Sequence, residues 1–183
     1  MNTSRYARPA RLLHWLMAVL LLLTIPAGLI MVRPEVGREL QNALFIFHKN
    51  VGVLLLLLIV LRLAVRRRHP PPAKPASLPA WQARVASLTQ GALYLLLVVQ
   101  PVAGYVRVRA GGFPIEALDA MGIGTLLAES DALAEAAKAV HHWAGLAIVA
   151  LAALHIGAAL FHLTVKRDGV FWRMWPPAGG PPR

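Results

Sequence analysis

Four long apolar stretches, separated by segments that hold most of the charged, proline and glycine residues, set the pattern of the chain. They run from about 12 to 32, 43 to 65, 85 to 106 and 139 to 165. Within the second, the run from Val51 to Leu61 contains no polar side chain. A helix rises ~1.5 Å per residue, so about 20 apolar residues cross the ~30 Å of hydrocarbon in a bilayer. Each stretch meets that length, and no alternating pattern of the strand type competes with it. The pattern predicts an all-α protein: an integral membrane four-helix bundle, built as a single domain over 1–183. Arg5, Arg8 and Arg11 precede the first stretch as they would a signal peptide, but its apolar run exceeds the ~7–15 residues of such a segment.

Composition agrees with the pattern. Hydrophobic residues make up 57% of the chain and charged residues 15%, whereas a soluble domain carries about a quarter charged. The net charge of +11 comes from 19 Lys and Arg against 8 Asp and Glu. These basic residues flank the apolar stretches and do not cluster on a soluble face, which argues against nucleic acid as a partner. Cysteine is absent. That excludes disulfides, thiolate metal sites and the covalent attachment of c-type haem.

Charge also orients the bundle. With the N-terminus inside, the inner segments hold most of the basic residues and one acid, Asp168. The outer segments then hold Arg33, Arg38, Lys49, Arg107, Arg109 and Lys138 together with all the other acids. This satisfies the positive-inside rule and places both termini in the cytoplasm. Trp15, Trp81, Trp143, Trp172 and Trp175 all fall near span ends, where aromatic belts form. The Pro-rich connector from His69 to Pro79 reads as stiff and extended. The segment from Ala110 to Ser130 is expected to lie over the outer face, with Ser130 capping the last helix and Asp131 and Glu135 in or near its first turn. The Pro- and Gly-rich C-terminus reads as disordered.

Histidines carry the candidate chemistry, because ionisable groups inside a membrane are costly and mark function by default. His141 and His155 are 14 residues apart on one span. That spacing returns to within about 40° of the same face and separates the two by ~21 Å, near opposite leaflets. His142 is displaced by about 140° and faces elsewhere. His14 opens the first span, inside; His48 opens the second, outside. Depth therefore pairs His14 with His155 and His48 with His141. Each pair can give two axial imidazoles to one haem iron between facing helices. Two His per site, with no Cys, Asp or Glu nearby, is a poor zinc set. Small residues stand four positions after each proposed ligand: Ala18, Gly52, Gly145 and Ala159. They would let a flat macrocycle, or simply another helix, come close. His69 lies in the Pro-rich connector and has no special role in this reading.

With these residues placed, the chain resembles the bacterial cytochrome b561 family, the group that includes superoxide oxidase. The resemblance rests on Arg11-Leu-Leu-His-Trp-Leu, on Phe47-His48 followed by Gly52 and by Val60-Leu-Arg62-Leu, on Val140-His141 followed by His155 and His162, and on the Arg-Met-Trp-Pro ending at Pro176. It implies two haem b groups, with His14, His48, His141 and His155 as iron ligands. It also implies electron transfer between a periplasmic redox donor and a quinone, in the bacterial inner membrane. Superoxide is one candidate donor and ubiquinone the expected acceptor. The alternative is an electron-relay subunit of a larger dehydrogenase or hydrogenase complex. Three residues stand as candidates beyond the ligands. Lys49 and Arg107 belong to a positive rim that could attract an anion. His162, 7 residues past His155 and about 20° off its face, could contact the quinone or donate a proton. Arg11 and Lys49, beside the ligands, are candidate partners for haem propionates.

Overall fold

The computed structural model describes residues 5–75 and 78–176. Four long helices dominate it: α1 (Arg8–Ile30), α2 (Arg38–Arg68), α3 (Ala80–Ala110) and α5 (Asp131–Phe161), with a short α4 (Glu116–Ala120) between the last two. A π turn, His162–Lys166, and a 3-10 turn, Phe171–Arg173, follow α5. No strand occurs among the described residues. All four long helices are long and apolar enough to cross a membrane. The Pro-Pro-Ala-Gly-Gly-Pro-Pro tail expected to be disordered lies, beyond Pro176, outside the described residues.

All four long helices begin before their apolar stretches, and α2 and α3 also run past them, because turn and capping residues, not hydropathy, set helix ends. Pro9 sits in the first turn of α1, where its missing N–H costs nothing. In α2 the last turn carries Arg66, Arg67 and Arg68, which complement the helix dipole, and prolines follow His69. Ser130 caps α5: its Oγ accepts from the Leu133 backbone N–H at 3.3 Å, with Asp131 in the first turn. α5 thus begins eight residues before the apolar stretch expected from 139, and gives way to the π turn after Phe161.

Packing runs α1 on α2, α2 on α3 and α3 on α5. Met17, Leu55 and Ile59 form a buried centre, flanked by Leu20, Leu21, Val51, Tyr94, Leu97 and Val98. The outside of the bundle is apolar: Leu22, Leu57, Leu88 and Leu95 are each more than 60% exposed. A soluble protein does not leave such a belt in water; lipid tails are its natural solvent.

One end of the bundle collects both ends of the described chain. The Tyr6 N–H donates to Arg173 O at 3.1 Å. Trp15 Nε1 donates to Met174 O at 3.0 Å, Arg11 Nη1 to Pro176 O at 2.8 Å and Arg173 Nη2 to Ala73 O at 2.6 Å. At the opposite end the segment after α3 folds back against α2 at Lys49 and Asn50, where sequence alone offered no helix. There α4 is tied down through Asn50, whose Oδ1 accepts from the Ala117 N–H at 2.9 Å and whose Nδ2 donates to Glu116 at 3.2 Å. Ile115 and Leu118 are buried beneath it, and Arg109 pairs with Asp119.

Both carboxylates of α4 are held below their ordinary values. The hydrogen bond from Arg109 does this for Asp119. For Glu116, burial pushes upward, but the bonds from Lys49 and Asn50 outweigh it. A lowered native value means the docking strength is full above the ordinary carboxylate range and is lost as pH falls through the native value. We therefore expect amide exchange in residues 115–120 to stay slow until the pH is below ~4. Release of α4 in mildly acidic buffer, near pH ~5, would contradict this assignment.

Candidate functional site: two imidazole pairs between the helices

The four depth-matched histidines meet in two pairs. The rings of His14 on α1 and His155 on α5 stand 6.1 Å apart between centroids, at 83° to each other. Those of His48 on α2 and His141 on α5 stand 6.0 Å apart, at 73°. An imidazole nitrogen bonds a metal at about 2.0 Å, and the ring centroid lies roughly 1 Å behind it; two imidazoles sharing one metal are then ~6 Å apart. Edge-to-face ring pairs reach the same distance, so the surroundings have to decide between the two.

Hydrogen bonding at the α2–α5 pair supports the first. His48 Nδ1 lies 2.9 Å from Thr24 O, and His141 Nδ1 lies 3.0 Å from Gln100 O. A carbonyl oxygen only accepts, so each Nδ1 carries the proton and each Nε2 keeps its lone pair for a ligand bond. The two partners are built alike. Gly28 follows Thr24 by four residues on α1, and Gly104 follows Gln100 by four on α3. A β-carbon at Gly28 would lie 2.7 Å from His48 Cε1; one at Gly104 would lie 3.0 Å from His141 Cε1. Each imidazole thus rests on a glycine and donates to the carbonyl one turn earlier. Sequence reading singled out neither glycine, because the contact is between helices; a Pro two or three residues before each glycine is the local mark they share.

The donor set also bears on what could be held. Among the described residues no three His, Cys, Asp or Glu side chains converge as a metal cage. A bare ion would need about four protein ligands; a haem brings its own equatorial nitrogens and asks only for axial ones. Two isolated imidazole pairs fit the second case. Close to His141, Gln100 Nε2 lies 3.2 Å from Nε2 and so covers the lone pair that iron would take. Its Oε1 is buried without a hydrogen-bond partner, so the amide is only half satisfied there and gives up little by turning away. No atom lies within 4 Å of a β-carbon built at Gly52, one turn from His48, whereas at Gly145 the near neighbour is Gln100 Nε2, at 3.1 Å.

One arginine serves each pair. The charge of Arg107 is felt at both His48 and His141, and that of Arg62 at both His14 and His155. A cation there stabilises any negative charge that arrives at the site. The other candidates are placed differently. Lys49 Nζ donates to Glu116 Oε1 at 2.6 Å and to Pro114 O at 2.7 Å, so its charge is balanced by α4. Arg11 is buried and tied to Pro176. His142 is exposed beside Trp143, and His69 is exposed at the end of α2. His162 opens the π turn, and its Nδ1 lies 2.6 Å from Asp168 Oδ2. A left-handed Arg167, at φ 50°, turns the chain so that Asp168 can reach back.

Comparison with known proteins agrees with this architecture. Residues 5–177 match the family described as prokaryotic cytochrome b561. The chain is 31% identical over 171 residues to cytochrome b561 homolog 2 of Escherichia coli strain K12, covering 93% of this chain and 91% of that protein. It is 26% identical over 174 residues to cytochrome b561 homolog 1 of the same organism, covering 94% and 98%. With four apolar spanning helices and a match over nearly its whole length, this chain belongs to the prokaryotic cytochrome b561 family, membership of which implies b-type haem and electron transfer in a multi-pass membrane protein.

Proposed function

We propose that the protein carries two haem b groups, one on His14 and His155 and one on His48 and His141, and conducts electrons from a periplasmic donor to ubiquinone. The observation that carries this reading is the pair of ~6 Å imidazole contacts, at the spacing a shared metal requires, measured at 6.1 and 6.0 Å. Bound haem supplies a one-electron carrier at each pair. The chain's own part is to fix the imidazoles, to set the charge around them through Arg107 and Arg62, and to exclude water with its apolar helices. We take the end that gathers both ends of the described chain as the cytoplasmic face of a bacterial inner membrane, a reading supported by the excess of basic residues in its segments. The α2–α5 pair then faces the periplasm. The test is haem content and the reduced spectrum of the detergent-purified protein; colourless, well-folded protein supplied with haem during expression would sink the reading.

Superoxide suits the donor role because it is an anion with one electron to give. Two superoxide ions would leave as dioxygen, and ubiquinone would take up the two electrons with two protons. Since Glu116 balances Lys49, Arg107 is the cation on which attraction to the periplasmic pair depends. Arg107→Glu is expected to slow superoxide consumption severalfold at low ionic strength, with the difference shrinking as salt is added. Equal rates in both proteins at low salt would remove Arg107 from the role.

At the other end, His162 and Asp168 form a hydrogen-bonded dyad with 15% and 22% of their side chains exposed. A carboxylate on Nδ1 leaves Nε2 facing outward to hold or pass a proton. We assign His162 to the quinone, as contact and proton donor. Its replacement by alanine should lower quinone reduction by on the order of 10² and leave the haem spectrum intact. Stopped-flow oxidation of the pre-reduced protein by a soluble quinone reads this directly; an unaltered rate would place the quinone elsewhere.

A further inference from the structure

At the end of the bundle that gathers the N-terminal segment and the close of α2, a narrow cleft opens, with inner space of about 10 Å³, room for one water. Tyr6, Arg62, Arg66, His69 and Tyr94 form most of its wall. Two guanidinium groups converge there on one ring. Cζ of Arg62 lies 5.7 Å, and Cζ of Arg66 5.2 Å, from the Tyr94 centroid. The two arginines are one turn apart on α2, where like charges repel and long side chains are free to splay. Instead both turn to the same aromatic ring, and Arg62 is held further by its bond to Ala10 O at 2.7 Å.

Among the described residues no carboxylate lines this cleft. Among the described residues neither arginine forms an ion pair with Asp or Glu. Two converging cations without a counter-charge make a site for an anion, and the guanidinium fork matches phosphate oxygens in pairs. Depth narrows the choice. Arg62 is the first charged residue after the apolar run Val51–Leu61, which puts the cavity at the hydrocarbon boundary, where lipid phosphates lie. We propose that the mouth of this cleft binds the phosphate of an anionic phospholipid headgroup, held by the half-exposed Arg62 and Arg66, with Tyr6 and His69 beside them. None of the wall residues is an imidazole of the two pairs; Arg62 also bears on His14 and His155, so the Arg66 variants are the ones that separate this site from the haem reading.

Phosphatidylglycerol is the probe. It would be titrated into the full-length protein in a neutral detergent and counted by native mass spectrometry, with phosphatidylcholine and inorganic phosphate run in parallel. Phosphatidylglycerol should be retained in preference to phosphatidylcholine. Arg62→Gln and Arg66→Gln should each weaken retention roughly fivefold, and together on the order of 30-fold. Arg67→Gln with Arg68→Gln, on the exposed side of the same helix end, should leave retention unchanged. Arg66→Lys keeps the charge but not the fork, and serves if a glutamine variant fails to fold; an intermediate loss is expected. Equal losses from the Arg67 and Arg68 variants would reduce the effect to diffuse basic attraction and overturn the site. Equal retention of phosphatidylcholine would overturn the selectivity for an anionic headgroup. Saturation by inorganic phosphate with no lipid retained would make free phosphate the ligand and refute the lipid assignment. If Arg62→Gln released haem while lipid binding stayed whole, the anion served would be a haem carboxylate and the proposal would fall.

Discussion

Replacing His48 or His141 with alanine should leave the protein with about one haem in place of about two, and the surviving haem should be the one on His14 and His155. Replacing His14 or His155 should remove the other. The expectation is sharp because the pairs share no residue: α1 and α2 give one imidazole each, and α5 gives both partners. A lone imidazole leaves one axial position open, so the damaged site should either empty or show a spectrum with one ligand exchanged. Pyridine haemochrome of the four single variants checks the count, and low-temperature reduced spectra identify which band is lost. Should His14 and His141 variants lose the same band, the pairing would be wrong. Retention of both haems in every variant would dissociate haem from these residues altogether.

The second large effect concerns a residue that bears no functional group. At Gly28 an added β-carbon would stand 2.7 Å from His48 Cε1, closer than such contacts occur, and the other near atoms belong to the same ring. The imidazole would have to move, and moving it breaks the Nδ1 bond to Thr24 O. Loss of such an orienting partner commonly costs about 10- to 100-fold in affinity for the metal. Gly28→Val should therefore weaken haem at the His48–His141 site by at least that range, and Gly28→Ala by less. Gly104→Ala, with contacts of 3.0 and 3.2 Å to His141, should act in the same direction but more mildly. Gly91→Ala is the control, since nothing lies within 4 Å of its β-carbon. Haem retention on dilution into haem-binding apomyoglobin measures the order. If the Gly28 and Gly91 variants behave alike, the glycine does not support the ligand.

Much of this was legible in the sequence because the membrane simplifies the problem. A span must be long and apolar, so hydropathy located all four long helices. The regular rise of a helix then converts residue number into depth, which is enough to match His14 with His155 and His48 with His141. What escaped depends on contacts that depth cannot supply. Gly28 and Gly104 matter through rings on other helices. Lys49 read as a free rim cation because Glu116, its partner, lies 67 residues further along. The short α4 has too few residues to show a period, and its anchor is Asn50 on another element. Asp168 is six residues from His162, a spacing no α-helix brings together; the π turn and the left-handed Arg167 do so. Helix ends were misjudged for a related reason: the apolar stretch reports where lipid stops, whereas caps such as Ser130 report where the helix stops.

The position of α5 in the chain has a consequence for how the protein is made. Translation delivers α1 and α2 first, and each brings a single imidazole into the membrane with nothing opposite it. Both missing partners, His141 and His155, arrive together on the last long helix. With haem on these pairs as proposed, an unfinished chain could offer it only a single protein ligand. On that proposal, tight capture of either redox group would wait until α5 is inserted, and a ribosome stalled before α5 would leave no half-built electron carrier in the bilayer.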